Sequence, residues 1–181
     1  MTASIDLLTE RLRLRAARPG DAAPLFANYC GDPACCQFLQ RKPHADVRQT
    51  DAMLARWSDP AEIDLDGSWM WVIALRESDE PVGVFVVIRD GHKAEIHYGI
   101  AKTLWGQGLV AEAGQAAMTM LQQRPGLERI WTVCDVDNHG SRRILEKLGF
   151  QQEGILHKWL KLPAYDNAAR DCLVFAALGS T

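Results

Sequence analysis

Apolar and polar residues alternate near the start of the chain in the pattern of a strand. From Arg11 to Arg15 arginine alternates with leucine, so a strand there would direct Leu12 and Leu14 into a core and leave the arginines in water. A Pro-Gly pair then breaks the chain, and Asp21 follows in the position of a helix N-cap. We therefore expect a strand over residues 11–15 and then a helix that runs to about Tyr29.

The rest of the chain divides into strand-like and helix-like segments. The strand-like runs are short and apolar on one or both faces: Trp69 to Leu75, Val82 to Ile88, Glu95 to Ile100, Ile130 to Val136, Phe150 to Lys161 and Asp171 to Leu178. The helix-like runs follow a capping residue or have apolar residues three or four apart: the segment after Asp46, Leu109 to Gln123, and Asn138 to Leu148. This order predicts an α+β fold around one mixed, mostly antiparallel sheet of about seven strands, flanked by about four helices.

Length, charge and hydropathy restrict the class of protein. The chain has 181 residues, which is the length of a single domain, and we place that domain over residues 9–178. A formal net charge of −3 argues against non-specific nucleic-acid binding, because no basic excess exists to displace counterions. The longest strongly apolar stretch, Val82 to Ile88, is too short to cross a bilayer, and no signal peptide is visible.

The cysteines and histidines indicate neither a disulfide framework nor a metal site. Five cysteines are an odd number, Cys35 and Cys36 are adjacent, and the chain has no C-x-x-C motif. His92 and His97 flank one predicted strand at an odd separation, so their side chains would face opposite sides of it. We expect a metal-free protein of the reducing cytoplasm that binds no membrane.

The most informative segment runs from Leu104 to Ala113 and contains two glycines, Gly106 and Gly108. It lies between a predicted strand and a predicted helix. A glycine turn in that position exposes backbone N–H groups at the positive end of the helix and can hold a phosphate. The spacing matches neither the P-loop nor the dinucleotide fingerprint. An ordinary strand-to-helix turn is the alternative, so the turn alone does not decide the function.

A second motif follows the next predicted strand, and the two motifs together carry a family resemblance. It reads Asp137-Asn-His-Gly-Ser-Arg-Arg-Ile-Leu-Glu-Lys-Leu-Gly-Phe150. With the glycine turn, it resembles the GNAT superfamily of acyl-CoA N-acyltransferases. The segments Thr9-Glu-Arg-Leu-Arg-Leu-Arg15 and Trp105-Gly-Gln-Gly108 resemble the Rim-type branch, which includes enzymes that acetylate the N-termini of ribosomal proteins. The resemblance implies a GNAT-like fold whose central sheet is splayed in the middle.

The resemblance assigns acetyl-CoA, as co-substrate, to three parts of the chain. Its pyrophosphate would be cradled by the backbone of the glycine turn: Trp105, Gly106, Gln107, Gly108, Leu109 and Val110. The pantetheine amides would pair with an exposed strand edge at Tyr98 and Ile100, which a bulge at Gly99 would open. The late helix would border the pantetheine arm with Asn138, also a good N-cap, and with Ser141. The alternative role of Trp105 is to pack against neighbouring residues. Val110 stands where the family usually has Gly or Ala, and its larger side chain would crowd the start of the helix.

The sequence contains candidate residues for the general acid and the general base of acyl transfer. The resemblance favours Ser141 as the donor of a proton or hydrogen bond to the departing thiolate, and a serine that only satisfies its helical turn is the alternative. A general base must accept a proton from the attacking amine. Glu95 is the first choice for that base, and His97, Asp135 and Asp137 are the alternatives.

The function that the resemblance implies is an acetyl-CoA-dependent N-acetyltransferase. It would move an acetyl group to a primary amine, on a protein N-terminus or a small molecule, by direct attack in a ternary complex. A covalent route through Cys134 is the less common alternative in this superfamily. The enzyme would act as a monomer or homodimer. A non-catalytic acyl-CoA-binding module is the rival function, since it would keep the cofactor turn without transferring anything.

Overall fold

The computed structural model describes residues 6–58 and 67–179, in which eight strands form one sheet. The strands are β1 (Leu7–Leu8), β2 (Leu12–Arg15), β3 (Trp69–Leu75), β4 (Pro81–Asp90), β5 (Lys93–Ile100), β6 (Arg129–Asp135), β7 (Gln151–Lys161) and β8 (Ala169–Leu178). The α-helices of these residues are α1 (Ala22–Leu25), α2 (Val47–Ser58), α3 (Leu109–Gln122) and α4 (His139–Lys147). The predicted α+β fold is confirmed, and β1 is the one short strand that the sequence pattern did not show.

The sheet has the order β1-β2-β3-β4-β5-β6-β8-β7, and every neighbouring pair is antiparallel except β5 with β6. Those two strands run parallel and pair only from Lys93 with Arg129 to Glu95 with Trp131. Both strands continue for several residues beyond that point, β5 to Ile100 and β6 to Asp135, without pairing with each other. The sheet therefore opens between them, and we call this opening the gap.

Helices cover both faces of the sheet. On one face α3 and α4 pack on a large core that contains Ile96 of β5 and Ala113 and Ala117 of α3. The small residues let α3 lie close to the sheet, as the sequence predicts. On the other face α1 and α2 pack through Leu25 and Leu54 on β3 and β4. The gap is thus lined by side chains from two separate layers.

The first helix differs from the prediction of a regular helix that runs to about Tyr29. The α-helix ends at Leu25 and continues as a π-helix, Phe26–Cys30. Asp21 takes the N-cap position but makes no side-chain cap bond. Its carboxylate instead accepts hydrogen bonds from the Arg15 guanidinium at 2.8 and 3.0 Å and from the Arg18 backbone N–H at 2.8 Å.

Arg15 is buried, so the expectation that every arginine of β2 stays in water is wrong. Its guanidinium bonds the carboxylates of Asp21 and Asp79. Burial by itself lowers the pKa of Arg15, but the two carboxylates more than offset this effect and the pKa is raised. A buried charge is tolerated only when it is paired in this way, and the pairing fixes the turn before α1 against β2.

Residues 6–58 and 67–179 contain neither a membrane-spanning helix nor a candidate metal site. No helix there is long and apolar enough to cross a membrane. No three His, Cys, Asp or Glu side chains come together in an arrangement that could hold a metal ion. The prediction of a metal-free site stays a prediction.

Candidate active site

The second half of β5 presents unpaired backbone groups to the gap. The N–H of Ala101, one residue past the strand, donates to the Val82 carbonyl at 2.7 Å, so odd-numbered residues here direct their backbone groups to β4. Tyr98 and Ile100 therefore direct theirs to the other side, where β6 has already ceased to pair with β5. An edge of this kind can accept an extended ligand that carries amides, as an added strand would.

The Ile100 carbonyl already has a partner. The indole Nε1–H of Trp105 donates to it at 3.0 Å, and the Cys35 thiol lies 3.7 Å from the same oxygen. Trp105 thus links the glycine turn to the end of β5, although its ring remains half exposed. The role of Trp105 as a cofactor contact stays a prediction, and Ile100 offers the gap its N–H rather than its carbonyl.

The predicted bulge at Gly99 is wrong. Gly99 pairs in regular register with Val84 of β4, and the only irregularity between β3, β4 and β5 in the described residues lies at Ile73 and Ala74. Glycine is needed at position 99 for another reason: an added Cβ would lie 2.2 Å from the Tyr29 hydroxyl. The edge is opened by the divergence of β6, not by a bulge in β5.

The glycine turn has a backbone geometry that requires glycine at two positions. Gly106 and Gly108 have φ of +77° and +76°, a region that residues with a side chain rarely adopt. Gly108 is the N-cap of α3 and contributes no side-chain cap. Because the first N–H groups of a helix lack intrahelical partners, this end is free to bind an anion. The side chain of Val110 packs against the core, which accommodates its extra bulk.

Ser141 and Tyr98 meet on the α4 side of the sheet. The Asn138 side-chain oxygen accepts the Ser141 backbone N–H at 3.1 Å, which confirms Asn138 as the N-cap of α4. The Tyr98 hydroxyl lies 2.9 Å from the Ser141 hydroxyl oxygen. Burial raises the pKa of Tyr98 far above its ordinary value, so the phenol stays protonated and can donate. When it donates to Ser141, the serine hydrogen is left for another acceptor.

The phenol of Tyr98 is a site group that sequence reasoning missed. The sequence interpretation considered Tyr98 only for its backbone. The available signal was the period of two along β5, which places Tyr98 on the same face as Ala94 and Ile96 and therefore towards the helices that follow.

Glu95 and His97 lie together on the opposite face of β5. Their side chains are 3.2 Å apart, from Glu95 Oε1 to His97 Nε2, with 25% and 44% of each exposed. Both groups are accessible and can accept a proton. The structure therefore does not bring Glu95 and Ser141 together on one face; they lie on opposite faces of the sheet.

Asp135 is poorly suited to act as the base, and Arg170 also bonds Asp137. Arg170 donates to the two oxygens of Asp135 at 2.5 and 2.8 Å and to Asp137 at 2.6 Å. Burial acts to raise the pKa of Asp135, but the bonds from Arg170 and from the Asp137 N–H outweigh it and the pKa is lowered. An ionised carboxylate whose oxygens are occupied in this way is a weak proton acceptor.

Cys134 is poorly suited to carry an acyl group. Its side chain is buried in the core under the helices. Burial raises the pKa of the thiol to about 11, so the reactive thiolate is scarce near neutral pH.

Two loops meet near the wide end of the gap. Tyr165 stacks with Phe38 at a centroid distance of 6.1 Å, and its hydroxyl accepts a hydrogen bond from Gln37 at 3.0 Å. The Arg170 guanidinium carbon lies 4.1 Å from the centre of the Tyr165 ring. Together with the Arg170 bonds to Asp135, these contacts join the loop before α2 to the end of β6. Residues 30–43, which include the loop before α2, have no clear periodic pattern of apolar residues.

Comparisons with known proteins agree with this geometry. Residues 11–151 match the family model described as an acetyltransferase (GNAT) domain. The chain is 31% identical over 159 residues to the uncharacterized N-acetyltransferase p20 of Bacillus licheniformis, an alignment that covers 86% of this chain and 87% of p20.

Solved structures share the fold over nearly the whole chain. RimL, a ribosomal L7/L12 alpha-N-protein acetyltransferase in complex with coenzyme A, superposes with a TM-score of 0.84 at 21% identity, covering 96% of this chain and 98% of RimL. The microcin C7 self-immunity acetyltransferase MccE, in complex with acetyl-CoA and AMP, has a TM-score of 0.82 at 17% identity, with 94% and 93% covered. The predicted resemblance to GNAT enzymes is confirmed, and with it the expectation of an enzyme, and RimL shares the fold. The chain belongs to the GNAT family of acetyltransferases.

Proposed function

We propose that this acetyltransferase uses acetyl-CoA to acetylate a primary amine by direct attack in a ternary complex. The observation that carries the proposal is the unpaired edge of β5 at Tyr98 and Ile100, which lies directly before the glycine turn in the chain. A cofactor with an anionic end and an amide-bearing arm matches both features. Complexes of RimL with coenzyme A and of MccE with acetyl-CoA support the same choice.

The cofactor's two ends engage different backbone groups. Its pyrophosphate binds the N–H groups of the turn over residues 105–110, where the absence of a Cβ at Gly106 and Gly108 lets the backbone approach it closely. Its pantetheine amides pair with the Tyr98 backbone in the gap, next to α4 and Asn138, and the Ile100 N–H is left for the thioester carbonyl. Residues 9–178 act as a single N-acetyltransferase domain in this proposal.

Acetyl transfer then proceeds without a covalent enzyme intermediate. The amine nitrogen attacks the thioester carbonyl, and the Ile100 N–H stabilises the oxyanion that develops. The carbon–sulfur bond breaks as the tetrahedral intermediate collapses. The Ser141 hydroxyl, held by Tyr98, donates a hydrogen bond or proton to the departing thiolate. The amine proton passes to Glu95, directly or through water.

The acceptor approaches from the face that carries Glu95 and His97. Residues 33–42 and 163–168 form its wall through the contacts of Phe38 and Gln37 with Tyr165. Acceptor pockets built from loops vary between proteins of one fold, so the fold does not identify a single acceptor. The proposed acceptor is therefore a primary amine, on a protein N-terminus or a small molecule.

Amine-dependent release of free thiol from acetyl-CoA is the activity that the proposed function requires. Purified protein should release free thiol from acetyl-CoA when supplied with at least one member of a panel of polyamines, amino sugars, amine antibiotics and ribosomal-protein N-terminal peptides. Thiol release is followed colorimetrically, and mass spectrometry locates the acetyl group on the amine. Reactions without amine or without protein are the controls. Acetyl-CoA binding with no amine-dependent release on the panel would instead favour the non-catalytic binding module.

Replacing Ser141 with alanine should lower kcat by about 10- to 100-fold, because a thiolate leaves more easily when a donor is present but does not require one. Acetyl-CoA affinity should change little, since the hydroxyl acts mainly in the transition state. Tyr98→Phe should lower kcat by about 3- to 10-fold, because it releases the serine hydroxyl from its position. Steady-state kinetics and isothermal titration measure both effects.

The matched control for these variants is Thr119→Ala, which removes a helical hydroxyl that bonds only its own helix, to the Gln115 carbonyl. It should leave kcat unchanged. A Ser141→Ala enzyme with normal kcat and a lowered melting temperature would show that Ser141 serves only the structure of α4.

Glu95→Gln should lower kcat/KM by about 100-fold, because an amide cannot accept the amine proton. His97→Gln is the matched control, since it removes the neighbour of Glu95 and leaves the carboxylate in place. It should keep a kcat/KM close to that of the wild type. If His97→Gln loses kcat/KM by about 100-fold and Glu95→Gln does not, the base is His97.

A further inference from the structure

Arg11 connects the residues before β2 to the glycine turn. Its guanidinium Nη1 donates to the Gln107 carbonyl at 3.1 Å, and Nε donates to Glu112 Oε2 at 2.7 Å. Its backbone N–H donates to Glu112 Oε1 at 2.8 Å. One arginine therefore holds both the turn and the first helical turn of α3, which contains Glu112.

The bond to the Gln107 carbonyl sets the direction of the next N–H. In a trans peptide the C=O and the following N–H point in opposite directions. With the Gln107 oxygen drawn to Arg11, the Gly108 N–H is directed away from Arg11. Glycine readily adopts other φ values, so nothing intrinsic to Gly108 would prevent this peptide from rotating if Arg11 were absent.

Arg11 also neutralises a carboxylate beside the turn. Burial acts to raise the pKa of Glu112, but hydrogen bonds from Thr9 and Arg11 outweigh it and the pKa is lowered, so the side chain is ionised. A carboxylate in the first turn interacts favourably with the positive end of the helix dipole. It also repels any other anion that binds at the same end. The Arg11 Nη2 atom lies 2.6 Å from Glu112 Oε2 and cancels that repulsion.

We infer that Arg11 is a positioning residue for the cofactor diphosphate: it fixes the Gln107 carbonyl so that the Gly108 N–H faces the diphosphate, and it neutralises Glu112. This inference rests on the proposed function. It differs from a purely structural role because Arg11 would matter only for donors that carry the diphosphate.

The test compares two acetyl donors in one variant. Arg11→Met should lower kcat/KM for acetyl-CoA by about tenfold or more, the usual effect of losing a hydrogen bond from a charged group. It should leave kcat/KM for S-acetylpantetheine, which lacks the diphosphate, within about twofold of the wild type by the same reasoning. Both are measured by thiol release with the same amine.

Arg13→Met is the matched control, because Arg13 also lies at β2 and pairs with a carboxylate, Asp6, without touching the turn. It should change neither donor's kinetics. An equal loss with both donors in Arg11→Met, or no loss with either, overturns the inference while the proposed function stands. A wild-type protein that neither binds nor uses acetyl-CoA overturns the proposed function, and this inference with it.

Discussion

The early end of pairing between β5 and β6 is the constraint on which the rest of the site depends. Three residue pairs join the two strands, whereas β5 pairs with β4 over eight. Backbone groups that lose their strand partner cost free energy unless water or a ligand satisfies them. A sheet that keeps such an edge in its middle, with both outer pairings intact, can accept an extended ligand along that edge. The proposed pantetheine arm meets this requirement.

Side-chain contacts brace the gap on both faces. On one face the Tyr98 hydroxyl ties β5 to Ser141 of α4, the helix that follows β6. On the other, Tyr165 and Arg170 join the loop before α2 to Asp135 at the end of β6. These contacts also determine which groups can move protons. Burial keeps the Tyr98 phenol protonated. Asp135 is ionised, and its oxygens accept hydrogen bonds from Arg170. Glu95 and His97 remain as accessible acceptors.

Local signals in the sequence predicted most strands and helices and the glycine turn. They did not predict contacts between residues that are distant in the sequence. The alternation in β2 and the glycines before α3 are local signals, and the strand and the turn that they predict are present. The burial of Arg15 depends on Asp79, 64 residues away, and the pairing of Tyr98 with Ser141 spans 43 residues. No periodic pattern encodes such partners. The same reason explains Gly99, whose neighbour Tyr29 comes from the π-helical segment on the opposite layer.

The most direct measurement of the central claim is amide hydrogen exchange at Tyr98 and Ile100, followed by NMR with and without acetyl-CoA. Both N–H groups face the gap, and Gly99 between them is paired with β4 and provides an internal control. Binding should slow exchange at Tyr98 and Ile100 by about tenfold or more, because the cofactor amides would take the place of a strand, and leave Gly99 unchanged. Unchanged exchange at both residues, in protein saturated with acetyl-CoA, would contradict the account.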